Sequence, residues 1–234
     1  MPSEALEAAL RDLLRAVDPQ WQPPVLPPVE DETQQRYERI ETIRLQLGHA
    51  LAADPRFTAR AAEDVVRAVL LDGSSTSQLV HPLIEAIGRR GVLLRLIEAV
   101  ENGPCERRAS AAAAAYWVRC WWPQDRLFEA ARAAGIRSAV ELRRFLDEHA
   151  QHVIRSAGEI DDLWPRFWRA CLATFVMCED DEIRFQLQTA FPLDSSRYAP
   201  KDADLLVEAR RIAESAPERF QRLRDGTTGY GAAI

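Results

Sequence analysis

Apolar residues recur three and four apart along most of this chain, so the pattern predicts helices throughout and no strand. In the first segment Leu6, Leu10, Leu13, Leu14 and Val17 share one face of a helix over Ser3–Val17, with Ser3 as its expected N-cap. A long helix is predicted over Glu32–Ala52, ended by Asp54-Pro55 because a residue before proline is pushed out of the α region. Thr58 is expected to cap a helix over Ala59–Leu71, and Ser74-Ser75-Thr76-Ser77 to cap one that ends at Gly88. Val92–Glu101 gathers Leu93, Leu94, Leu96, Ile97 and Val100 on one stripe. Gly103 then reads as a left-handed helix closure, and Pro104 as a first-turn residue of the next helix. Within that helix, Ala109–Ala115 offers side chains small enough for neighbours to approach closely.

Further along, Gln124–Ala134 is expected to stop at Gly135, and Ser138 with Glu141 has the spacing of a capping box opening Ala139–Ser156. Asp161 or Asp162 is expected to start the following helix, with Pro165 tolerated in its first turn. Phe167–Cys178 is apolar nearly all round, which predicts a buried helix. Asp180–Ala190, Pro200–Ser215 and Pro217–Arg224 complete the set. The expectation is one all-α domain of about eleven or twelve helices. Residues 1–17 form its first helix, 18–30 a strap, 31–190 the helical body, 191–224 the last helices, and 225–234 a tail expected to be mobile. The strap carries five prolines, which forbid helix; it reads as an extended tie pinned by Trp21, or as a proline-rich ligand.

Residues 92–122 therefore read as two helices around an Asn102-Gly103-Pro104 corner. A looser copy, Val65–Gly88, turns at Asp72-Gly73, 30 residues upstream, and a third candidate, Phe167–Ala190, turns at Glu179-Asp180-Asp181. The form LIEAVENG…ERRASAAAAA, echoed by Glu182-Ile183-Arg184, resembles a HEAT-type repeat of an α-solenoid. What the resemblance implies is a right-handed superhelix of helical hairpins, whose groove suits a partner's peptide or helix. It covers about half the chain and speaks to fold rather than activity.

Composition adds an electrostatic pattern. The net charge is −6, yet residues 86–145 hold 11 arginines against 6 acids, while both flanks are acidic. Lys201 is the only lysine. No apolar run approaches the roughly 18 residues a membrane span needs. The acidic start MPSEALEAALRDLL lacks the form of a secretory signal, so a cytoplasmic location is expected. There is no Gly-rich phosphate loop, no serine elbow and no metal-ligand series, and no cofactor or metal is expected.

The basic middle also carries aromatic residues. Arg89, Arg90, Arg107, Arg108 and Arg119, with Trp117, Trp121 and Trp122, form the expected partner-binding surface, suited to a protein with an acidic segment. Cys105, at a helix start beside Arg107 and Arg108, is the cysteine expected to be reactive. Cys171 and Cys178 read as small buried hydrophobes. His149 and His152 are three apart on a helix and read as a solvated face, since no third ligand accompanies them. The favoured expectation is a non-enzymatic scaffold or adaptor. A second is nucleic-acid binding, since length and helical build are similar to those of HEAT-like alkylpurine DNA glycosylases. That resemblance implies a carboxylate stabilising an oxocarbenium-like centre, with Trp and Arg around the nucleotide. Asp161, Asp162, Trp164 and Trp168 are the nearest analogues, without matching that family's motif, and the acidic balance argues against phosphate binding. A third is a small-molecule pocket lined by the Trp cluster.

Overall fold

The four leucines of the first segment fold inward as expected. In the computed structural model, which describes residues 4–24, 31–73, 77–119 and 131–224 with the side chains of 149–158 excepted, α1 (Glu4–Val17) buries Leu6, Leu10, Leu13 and Leu14. These pack on α2 (Glu32–Ala53), whose first amides are capped by Asp31. Trp21 ties the intervening segment down, its indole Nε1 donating to Gln46 Oε1 at 2.9 Å. Two short helices follow, α3 (Pro55–Arg60) and α4 (Ala62–Leu71), broken at Ala61. Thr58 is not the cap it was expected to be. Asp54 caps α3 by accepting from the Phe57 amide, and Thr58 is fully buried inside the helix, its hydroxyl donating to the Leu51 carbonyl at 2.7 Å. Beneath α4, Arg44 of α2 is 1% exposed and its Nε lies 2.7 Å from Asp72 Oδ2, with Glu41 as a second partner. This buried ion pair ties α2 to the end of α4.

The central hairpin is α5 (Ser77–Asn102) and α6 (Cys105–Arg119). Gly88, at φ 77°, divides α5 into two segments, which is where the sequence pattern ends one helix and begins the next. At its N-terminus α5 crosses α2 so closely that a Cβ on Gly48 would meet the Gln78 carbonyl oxygen at 2.7 Å. Gly103 corrects the sequence reading, because its φ is not positive. It is instead a close approach: its amide donates to the Ala99 carbonyl at 2.9 Å, and a Cβ there would lie 2.5 Å from that oxygen. The alanines of α6 do what small residues allow, with Ala109, Ala111, Ala112, Ala114 and Ala115 all buried and α5 packed along them.

Beyond Gly135, at φ 73°, α7 (Ala139–Ala157) opens with the Ser138–Glu141 capping pair, the Glu141 amide donating to Ser138 Oγ at 3.2 Å. The aspartates do not start the next helix. Residues Gly158–Leu163 form a 3-10 turn, and α8 (Trp164–Met177) begins after it with Pro165 in its first turn. α8 is the buried helix its composition predicts, with Phe167, Cys171, Leu172 and Phe175 at its core. Phe175 meets Phe191 and Phe220, each at 5.4 Å between ring centroids, which fastens the C-terminal residues to it. Three further helices, α9 (Asp181–Leu187), α10 (Ala203–Ser215) and α11 (Gln221–Arg224), finish the described chain; the last is shorter than the Pro217–Arg224 expected. The described residues contain no strand, and one contiguous apolar core runs from Leu6 to Leu223. The main contacts join elements no more than three apart in chain order: α1 with α2 and α4, α2 and α3 with α5, α4 with α5 and α6, α5 with α6 and α8, α6 with α9, α8 with α10. The proposed mobile tail lies outside the described residues.

Candidate interaction site

Of the five arginines expected to bind a partner, four are held by contacts within the protein. Arg89, one residue past the Gly88 kink, is only 6% exposed. It donates to the Val118 and Arg119 carbonyls at 3.1 and 3.2 Å, satisfying the C-terminal end of α6. Its expected role in partner binding is therefore corrected: it caps a helix inside the protein. Arg90 reaches the 3-10 turn after α7, gripping Asp162 through two bonds of 2.7 and 2.8 Å and donating to the Glu159 carbonyl. That grip holds the Asp162 carboxyl below the usual carboxylate range. Arg108 donates to the Gly103 carbonyl and, at 3.5 Å, to Thr174 Oγ1 of α8. Arg119 is half-buried with its guanidinium 5.7 Å from the Trp164 ring. Of these five arginines, Arg90 and Arg107 are exposed, Arg90 while gripping Asp162.

The aromatic residues are likewise mostly internal. Trp117 is half-buried between His81 and Tyr116, at 5.9 and 5.0 Å between centroids. Trp121 and Trp122 lie outside the described residues. Trp164 and Trp168 stack on each other at 6.3 Å and are 4% and 5% exposed, so neither presents a face on which a base could stack. Cys105 is half-buried at the first position of α6. The side chains of His149 and His152 lie outside what is described, and among the described residues no three His, Cys, Asp or Glu side chains converge on a metal-sized site.

The open apolar surface is elsewhere, along the outer face of α1. A groove of about 650 Å³ runs between α1 and the α3–α4 pair. Its α1 wall is Ala5, Ala8, Ala9, Asp12, Leu13 and Ala16; Phe57, Ala61 and Leu71 are the apolar part of the opposite wall. Sequence reading missed it because the inward leucines of α1 dominate its pattern, whereas this face is marked by alanines at positions 5, 8, 9 and 16. The α3–α4 wall carries Arg60, Asp64 and Arg67, with Arg67 paired to Asp64 at 2.8 Å and Arg60 exposed. The two walls thus differ in charge, with α3–α4 positive on balance and α1 carrying Asp12. A second depression of about 440 Å³, lined by Glu63, Arg95, Glu98, Asn102 and Arg166, is polar. Its arginines are engaged there, Arg95 with Glu63 at 2.7 Å and Arg166 with Glu101 at 2.6 Å.

No family model, curated protein or solved structure matches this chain.

What the α1 groove can do follows from its lining. Alanine floors let a helix backbone approach within the 8–10 Å typical of packed helices, and Leu13, Phe57 and Leu71 give apolar contact at depth. Among the described residues, no helix is long and apolar enough to cross a membrane.

Proposed function

We propose that this chain is a HEAT-like helical scaffold that binds a partner protein, taking one amphipathic helix of that partner in the groove between α1 and α3–α4. The observation that carries the reading is the groove itself, apolar along its floor and charged differently on its two rims. A helix with small or leucine-sized residues at i, i+3, i+4 and i+7 fits such a floor, and an acidic edge on that helix faces Arg60 and Arg67. The chain-order packing supports the solenoid part of the reading, since in stacked helical repeats each unit touches chiefly its neighbours. The partner's acidic segment, expected from the basic middle, is met instead by the α3–α4 wall, where positive charge borders the apolar floor; Arg89, Arg90 and Arg108 are held by contacts within the protein.

The test uses a photo-crosslinking amino acid at Ala8 and at Arg60, and at exposed Val140 on α7 as a remote control. The expected result is one protein crosslinked from both groove positions, not from Val140, with capture lost when Ala8→Trp fills the groove and the circular dichroism spectrum is unchanged. Equal crosslinking from Val140, or capture undiminished by Ala8→Trp, overturns the groove as the binding site. Disappearance of all crosslinked material after nuclease treatment overturns protein binding in favour of nucleic acid.

A further inference from the structure

Cys105 opens α6 and Cys178 closes α8, far apart in the chain, yet α6 packs along α8 with Arg119 over Trp164 at one end, which leaves these two residues together at the other. Arg108, one turn into α6, donates to Thr174, one turn before Cys178 on α8, which brings the two helix ends into register. Burial raises the Cys178 pKa, and the nearby Cys105 thiol adds to the rise. Exposure divides their roles, Cys105 being half-buried and Cys178 only 4% exposed. Both are free thiols. Cys171 is fully buried, its thiol pushed far up by that burial, and it stays outside the chemistry.

We propose that Cys105 and Cys178 are an oxidisable pair, with Cys105 the thiol a hydroperoxide attacks and Cys178 the thiol that resolves it into an intramolecular disulfide. In the first step the Cys105 thiolate sulfur bonds to one oxygen of hydrogen peroxide, the O–O bond breaks, and hydroxide leaves. In the second, the Cys178 sulfur attacks Cys105 sulfur, the S–O bond breaks, and a second hydroxide leaves. The protons of the two thiols go to these hydroxides, so the pair loses two electrons and the peroxide becomes two waters. Cys178 is suited to the second step because burial keeps it out of the peroxide's reach, so that it reacts only with its oxidised neighbour, losing its proton as it attacks. The product links α6 to α8 covalently, and a small dithiol reverses it. This inference is independent of the partner-binding reading.

The test treats the full chain with a small excess of hydrogen peroxide, blocks remaining thiols, and maps peptides without reduction. The expected result is an intact mass lower by two hydrogens and a peptide pair joining Cys105 to Cys178, with a melting temperature above that of the reduced protein. Cys178→Ser is expected to leave Cys105 as a sulfenic acid trapped by dimedone, and Cys105→Ser to leave Cys178 a free thiol. Cys178→Ala serves for the same readout if the serine variant melts early. Three results overturn the proposal: Cys105 oxidised in the wild type while Cys178 stays free, a link to Cys120 or to a second chain, or no reaction at either thiol.

Discussion

Gly48→Ala sets two effects of known sign against each other. Gly48 lies in the interior of α2, where alanine is favoured over glycine by about 1 kcal/mol. Against that gain stands the crossing of α2 and α5: the new Cβ would sit 2.7 Å from the Gln78 carbonyl oxygen and 3.1 Å from the Gln78 Cβ. The oxygen belongs to backbone and cannot swing aside, so the helices must part by about half an ångström, a gap that forfeits a quarter or more of each contact well it opens. Buried residues on both sides of that crossing, Leu47 and Leu51 on α2 and Leu79, Val80 and Leu83 on α5, lose contact together. Overpacking costs roughly 1–3 kcal/mol, and an obstacle that is backbone on one side and helix on the other puts this site at about 2–3, with the lost contacts included. The crossing is expected to win, leaving a net loss of about 1–2 kcal/mol, which at ~2–4 °C per kcal/mol lowers the melting temperature by about 2–8 °C. Gly91→Ala supplies the contrast. It lies in α5 with its nearest outside atoms, all from Ile87, at 3.6 Å, an ordinary contact. The same substitution there is expected to stabilise by roughly 0.5–1 kcal/mol. Thermal melts of both variants beside the wild type decide it. If Gly48→Ala melts as high as the wild type, the crossing is looser than described and the argument fails.

Three further outcomes follow from the core and its ion pairs. Phe175→Ala removes a fully buried ring that touches Phe191 and Phe220; urea unfolding should show a loss of about 3–5 kcal/mol, and a loss below 1 would mean the C-terminal residues do not depend on it. Asp72→Asn leaves the Arg44 guanidinium buried with Glu41 as its remaining carboxylate, and should cost about 2–3 kcal/mol. Much of that should be recovered in the apolar double variant Arg44→Met/Asp72→Leu, as urea denaturation of the three proteins will test. Glu7 is held below its ordinary pKa of 4.5; burial acts to raise it, but the hydrogen bond from Arg39 and the charges of Arg11, Arg39 and Arg36 outweigh burial. Because its folded pKa is the lower one, its contribution is complete above pH 4.5 and is lost as pH falls through the folded value. Glu7→Gln should therefore weaken the protein by about 1 kcal/mol at neutral pH, with the denaturation midpoints of variant and wild type converging below pH 4; parallel midpoints down to low pH would remove the charge from the account.

The helices that bury a single stripe were legible in the chain because periodicity records which face is apolar: Leu6, Leu10, Leu13 and Leu14 needed no partner to be assigned inward. The same holds for α8, where scarcity of polar residues left no exposed face to choose. Local chemistry misled where two residue types compete for one task. Thr58 and Asp54 both suit an N-cap; Asp54 took it, and Thr58, lying against Leu51, found a carbonyl to bond inside the helix. Gly103 was read through its freedom of φ, while the constraint there is the distance to the Ala99 oxygen. For the site, charge counts located an arginine-rich region but not its acids, because Arg90 meets Asp162, and Arg166 meets Glu101, across spans no local pattern reports. Arg89 left one sign, its place directly after a glycine at a kink, where a long donor can turn back onto a helix end. The groove between α1 and α3–α4 left almost none, since alanine on the outer face of a helix is also what a solvated surface tolerates.

The interhelix ties share a chemical asymmetry. Arg39 to Glu7, Arg95 to Glu63, Arg166 to Glu101 and Arg169 to Asp202 each set a guanidinium against a carboxylate, and none uses an amine. A guanidinium stays charged far into alkali, so these ties open only from the acid side. They are also closed to acylation, which neutralises lysines alone; Lys201, exposed in the short turn Pro200–Asp202, is the one side chain such chemistry can reach. Its neighbour Asp202 holds Arg169, so a bulky group added at Lys201 would fall beside the clamp that joins α8 to the turn before α10. An amine-directed label, for the same reason, marks a single side chain and leaves every arginine tie in place.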